Sequence, residues 1–175
     1  MKRVFLFFFI AVFSATGFAQ HCPFDGSTML VVKLTDSKGD PVTSMRDSLF
    51  LAEVDNPKPD SCSFAKGILI LPFKNLREGL LNKYEGAWKN WALRLSAGSE
   101  FMNPGHFAVV LNQAEHNCMI TDKDDYRYIQ RKFIIEIKQD NVVRPLAEVP
   151  SENFYSLCTN AGLWTRIKSM EIIIK

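Results

Sequence analysis

The residues of this chain best suited to chemistry are three histidines, His21, His106 and His116, and four cysteines, Cys22, Cys62, Cys118 and Cys158. His116-Asn-Cys118 would set an imidazole and a thiolate two residues apart, on one face if the segment is a strand. A disulfide at Cys118 would remove that thiolate. Removal of a leader after Gln20 would leave His21 with a terminal amine beside its imidazole, a copper-binding pair, but no second histidine stands near it and Gln is a poor residue before a cleavage point. Thr121-Asp122-Lys-Asp124-Asp125 spaces carboxylates as a calcium loop begins, yet Arg127 and Tyr128 follow where such a loop needs a glycine and a distal glutamate. A solvated acidic turn is the expectation there, and no metal or cofactor site is assigned.

Catalytic signatures are missing in the same way. The chain has no Gly-x-Ser-x-Gly and no glycine loop of the kind that cradles phosphates. A hydrolase built on converging carboxylates stays open as a reading without named residues. The aromatic set Tyr84, Trp88 and Trp91 has the character of a sugar-stacking surface. Trp91 sits at an inward position of an alternating segment and is assigned to the core. Tyr84 and Trp88, in the stretch 74–90, are the candidate ligand-binding residues, for a carbohydrate or cell-envelope glycan.

The first 19 residues explain the compartment. Lys2 and Arg3 precede the ten apolar residues 4–13, and Gly17-Phe-Ala19 closes the segment. This is the anatomy of a secretory signal peptide, with cleavage expected after Ala19. The apolar run is too short to span a bilayer, which takes about 20 helical residues, so no membrane span is expected in the mature chain. The formal charge of +2 belongs to Lys2 and Arg3; the remainder is neutral and has no basic footprint for nucleic acid. Four cysteines in an exported chain predict two disulfides among Cys22, Cys62, Cys118 and Cys158, in any of three pairings. His21 stands where a lipid-attachment motif needs a small residue before Cys22, and there is no Asn-x-Ser/Thr glycosylation site. Location in the periplasm or outside the cell is expected.

Strand patterns dominate residues 20–175, which suit one domain. Leu30, Val32 and Leu34 alternate with Val31, Lys33 and Thr35, the period of a half-buried strand. Asp36-Ser-Lys-Gly39 supplies turn chemistry, with Pro41 at the entry to a second strand, and this turn accounts for Lys38-Gly-Asp40 without an integrin-type role. That second strand is predicted over 48–54, and further strands over 68–71, 91–95, 107–111, 126–138, weakly 142–146, and 170–174, with 116–125 as a polar loop. Leu76, Leu80, Tyr84 and Trp88 recur every four residues, but Gly79 and Gly86 weaken a helix there by about 1 kcal/mol each, so 74–90 is expected to be a short helix or ordered loop. Ser151 could cap a single helical turn. Together these predict a mostly β protein: an antiparallel Greek-key sandwich of seven or eight strands with one short helix or loop insert.

Val32-Lys-Leu-Thr-Asp-Ser-Lys-Gly39-Asp-Pro-Val42 resembles the first hairpin of carboxypeptidase-regulatory-like domains, which share the transthyretin (prealbumin-like) sandwich. Lys66-Gly67-Ile-Leu-Ile-Leu71 and Trp91-Ala-Leu-Arg-Leu-Ser-Ala-Gly98 could fill the family's later strands. The likeness covers residues 28–98. The insert at 74–90, the missing Gly-Tyr at Gly98-Ser99 and the continuation over 140–175 depart from the pattern. The resemblance implies a sandwich that acts as a non-catalytic module for folding, linking or binding. An interaction or structural role is therefore expected, with an envelope protein or a glycan as partner.

Overall fold

The computed structural model describes residues 27–43, 45, 48–54, 67–83, 100–122, 125–157 and 167–174. Among these, the order is β1 (Thr28–Asp36), β2 (Leu49–Val54), β3 (Ile68–Leu69), β4 (Leu71–Pro72), helix α1 (Phe73–Lys83), a 3-10 turn at Glu100–Met102, β5 (His106–Leu111), the short helix α2 (Gln113–His116), β6 (Asn117–Asp122), β7 (Asp125–Gln130), β8 (Lys132–Gln139), β9 (Val142–Val149), a 3-10 turn at Ser151–Asn153, β10 (Phe154–Ser156) and β11 (Met170–Ile174). The fold is mostly β, as the alternation predicts, but it has more strands than the expected seven or eight. The run 68–71 is divided, the long alternating stretch breaks at Arg131, and the polar stretch expected to be a loop forms β6 and the start of β7.

One sheet runs β10-β1-β5-β4 with β11 also on β1; the other runs β3-β2-β8-β9; β6 and β7 make a separate two-stranded sheet. The pairing departs from an all-antiparallel sandwich in one place, since β11 lies parallel to β1. One edge of β1 is divided between two partners. Thr28, Met29 and Leu30 pair antiparallel with Ser156, Tyr155 and Phe154, and Val32 through Asp36 pair in parallel with Met170 through Ile174. Its other edge pairs with β5 from Thr28 to Lys33.

The two sheets close on a core of Leu30, Val32 and Leu34 from β1, Leu49 and Leu51 from β2, Phe107, Val109 and Leu111 from β5, and Phe133, Ile135 and Ile137 from β8. Strand β1 is not half-buried as its alternation suggests. Met29 and Val31 on its other face are also enclosed, with Phe73, Phe101, Ala108, Leu157 and Ile167. Helix α1 covers this face, placing Phe73 against Phe101 at 5.5 Å between ring centres, with Leu76 and Leu80 beside them. Residues 73–83 are thus a true helix, whose apolar stripe offsets the cost of Gly79. The expected strand over 91–95 lies outside the described residues.

Ile70 joins the sheets. Leu69 pairs with Phe50 in one and Leu71 with Ala108 in the other, so the chain turns a corner at Ile70, which is fully buried and donates its N–H to the Leu49 carbonyl at 2.8 Å. The turn after β1 forms as its residues predict. The Asp36 carboxylate accepts from the N–H groups of Lys38 and Asp40 at 2.8 and 2.9 Å, and Gly39 takes a φ of 88°. An isolated bridge from Thr35 to Pro41 follows, and the expected second strand over 48–54 forms as β2. Asp140 and Asn141, both at positive φ, make the two-residue turn between β8 and β9 that matches strand twist. Strand β9 reaches Val149 despite Pro145, which an edge strand tolerates, and its register slips beside Pro145. The turn at Ser151–Asn153 is capped by Pro150 without a side-chain bond, so Ser151 is its first residue, not its cap.

Candidate functional site: a buried polar end and the hairpin it anchors

Inward positions of β2 and β8 are apolar until one end of the sandwich, where the pattern changes. Leu49 and Leu51 are followed at the same parity by Glu53; Ile137, Ile135 and Phe133 are preceded by Arg131. Glu53 is the cross-strand partner of Phe133. Arg131 Nη1 donates to Glu53 Oε2 at 2.7 Å, with the two side chains only 4% and 9% exposed. Charges so enclosed persist because each holds the other; a lone one would carry a desolvation penalty of several kcal/mol.

His116 packs at the same end. Its ring lies nearly parallel to that of Phe133, 7° apart in plane and 6.2 Å between centres, and meets Phe154 at 4.8 Å. Phe133 and Phe154 touch each other at 5.2 Å, which completes an aromatic triangle. The imidazole is buried, and its Nε2 has no hydrogen-bond partner among the described residues. Burial without compensation disfavours the charged form and holds His116 below its ordinary value of 6.5. Thr28, another inward residue of β1, is enclosed with its hydroxyl likewise unpartnered among the described residues.

A capping box sets the position of His116. The Asn112 side chain accepts from the Glu115 N–H at 2.8 Å, and the Glu115 carboxylate accepts from the Asn112 N–H at 2.7 Å. The His116 N–H then donates to the Asn112 carbonyl at 3.0 Å. This box turns the chain out of β5 and aims His116 back at the sandwich. His116 therefore closes a helix while Cys118 lies on β6, and the two do not alternate along one strand as a metal pair would.

His116 and Arg131 flank the β6–β7 hairpin. Its first rung pairs Asn117 with Gln130, so the residue before and the residue after are the two buried polar anchors. Pairing continues through Met119 with Tyr128 and Thr121 with Tyr126 to Asp122 with Asp125. The hairpin joins neither sandwich sheet, and the outer backbone edges of both its strands are unpaired among the described residues. Asp122 and Asp125 of the expected acidic turn form the last rung, and 123–124 lie outside the described residues.

The other sequence candidates fall elsewhere. His106 is the buried first residue of β5, with Nδ1–H donating to the Asn103 carbonyl at 3.2 Å and its ring 5.8 Å from Phe101. Cys22, Cys62 and Cys158 lie outside the described residues, as do His21, Tyr84, Trp88 and Trp91; of Cys118, the backbone alone is described. Sequence reasoning missed Glu53 and Arg131, whose signal was a charge at an apolar parity on each of two strands. It also missed the Asn112-x-x-Glu115 box ahead of His116. Among the described residues no cluster of three metal-ligating side chains occurs and no helix is long and apolar enough to cross a membrane. Compared with known proteins, the chain matches no family model, no curated protein and no solved structure.

Proposed function

We propose that this chain is an exported, non-catalytic interaction module whose contact element is the β6–β7 hairpin. The observation that carries this reading is the separation of that hairpin from both sandwich sheets, with its base tied by His116 and Arg131. A two-stranded ribbon is marginal alone, so it benefits from a rigid base. Its unpaired edges offer main-chain donors and acceptors to a strand of a protein partner, the mode in which backbone bonds give affinity and side chains give specificity. The leader, the even cysteine count and the likeness of residues 28–98 to transthyretin-like modules support the same reading.

The test replaces residues 120–127 by Asn-Gly, which shortens the hairpin and keeps its first rungs. The expected result is an unchanged melting temperature with loss of the cross-linked protein adduct formed by a photoreactive group at position 128. An adduct that persists at full yield, or one formed equally from α1, would sink the proposal. Export is checked on the same preparation: the mature chain should begin at Gln20 and show no reactive thiol.

A further inference from the structure

The β6–β7 hairpin is joined to β5 through a single helical turn, α2, whose last residue is His116. A helix of four residues has little stability of its own. Its place depends on the Asn112–Glu115 box at its start and on the His116 ring seated against Phe133 and Phe154 at its end. That seat suits a neutral imidazole. The ring is buried, its Nε2 meets no acceptor among the described residues, and burial disfavours its charged form. The charged groups around it are engaged or face away. Glu53 of β2 holds Arg131, and Glu115 of α2 accepts from the Asn112 N–H. Lys132 and Glu136 of β8 alternate with Phe133 onto the outer face of their sheet, where Glu148 of β9 pairs with Ile134. Glu152, ahead of β10, is exposed. Tyr155 lies on the face opposite Phe154, its hydroxyl accepting from the Lys168 N–H, and His106 is at the other end of β5. On the hairpin, Cys118 and Tyr128 stand at the second and third rungs, with Arg127, Tyr126 and the Asp122–Asp125 pair beyond them. A proton added at Nε2 finds no acceptor among the described side chains, at an end that already holds the Arg131 cation.

We infer that His116 is an acid-operated release for the hairpin: its Nε2 takes a proton from solvent, the ring leaves Phe133 and Phe154, and α2 opens. The base of β6 is then free, while Arg131 still ties the base of β7 to Glu53. The change stays local, since neither sandwich sheet contains α2 or the hairpin, and β6 and β7 keep the ladder they make with each other. In water the ring returns to its ordinary value of 6.5. The seated state is therefore complete above that value and is lost as pH falls toward the lower, seated one. For a hairpin that is the contact element proposed above, on which this regulation rests, the result is a weaker hold on a protein partner in acid.

Backbone hydrogen exchange of the full exported chain alone, from about pH 7.5 to about pH 4.5 and corrected for the chemical exchange rate, tests the release. In the wild type, protection of 117–122 and 125–130 should fall by up to about tenfold per pH unit, the limit for one proton, while protection of β1 and β5 holds. His116→Phe and His116→Gln cannot take up that proton and should show level protection in the hairpin; two variants guard against one that misfolds. Wild-type protection that is level in the hairpin, or that falls equally in β1, overturns the release. So does a fall that persists in a folded His116 variant. The photoadduct from position 128 separates the release from the contact role. An adduct that forms at about pH 7.5 and fades by about pH 5 in the wild type alone supports both. With the exchange result as expected and no adduct at either pH, the contact role fails and the release stands. With an adduct and level exchange, the release fails and the contact role stands.

Discussion

Arg131 and Glu53 meet at 2.7 Å at the end of two inward apolar rows, Leu49 and Leu51 of β2 and Phe133, Ile135 and Ile137 of β8. The pair ends the hydrophobic interior at the point where the β6–β7 hairpin begins. Its energetic signature is asymmetric. Arg131→Met alone should cost about 3–5 kcal/mol, since Glu53 is left charged and enclosed, whereas Glu53→Leu with Arg131→Met should return most of that loss. Urea unfolding of the two single variants and the double variant measures the cycle; equal loss in all three would show that the pair is not the determinant.

His116 gives the fold a pH dependence with a definite sign. Its folded value lies below 6.5, so the unfolded chain binds the proton more readily. The contribution is complete above the unfolded value near 6.5 and is lost as pH falls from there toward the folded value. Wild-type urea midpoints should therefore drop between about pH 7 and pH 5. His116→Phe, which keeps a ring against Phe133 and Phe154, should show a flatter profile over that window. Identical slopes for the two proteins would assign the acid sensitivity to other groups.

Two glycines should respond oppositely to alanine. Gly79 lies within α1 with nothing near the position of an added Cβ, so Gly79→Ala should stabilise by about 0.5–1 kcal/mol. Gly105 has a φ of 83°, and a Cβ there would stand 2.8 Å from the Pro41 Cβ and 2.9 Å from the Leu34 carbonyl oxygen. The backbone strain alone is about 1–2 kcal/mol, and the Leu34 N–H bond to the Gly105 carbonyl would be disturbed as well. Thermal melts of the two variants should move in opposite directions.

Ile70→Ala should cost about 2–5 kcal/mol, the range for a buried aliphatic truncation that leaves a cavity. Ile68, only partly buried two residues earlier, should cost less. Comparable losses at both positions would mean that the corner is not a special point of the core.

The strands were legible where one face alone is apolar or where the run is short and punctuated. Leu30 to Leu34, Phe107 to Leu111 and the series Phe133, Ile135 and Ile137 could be read from period alone. What periodicity hides is where a run changes partner: nothing in Ile68-Leu-Ile-Leu71 announces that its halves belong to different sheets. The second buried face of β1 was hidden for a similar reason, since Lys33 and Thr35 on the outer face mask the enclosure of Met29 and Val31 by α1. The candidate site was less legible still. Polar residues in 116–125 suggest a loop because pairing between two polar strands leaves no apolar alternation, and the aromatic packing of His116 is made with Phe133 and Phe154, too distant in sequence for any local pattern to show.

The divided edge of β1 also constrains the order of assembly. Residues 32–36 leave the ribosome early, yet the strand that completes their edge is 170–174, and Lys33 reaches Glu171 across 138 positions. Until those residues arrive, the later half of β1 holds a row of unsatisfied backbone groups beside a hydrophobic surface, and closing so long a loop is slow. The nascent chain is thus unable to finish its principal sheet until residues 170–174 have been made, so β1 spends most of synthesis with half of one edge open.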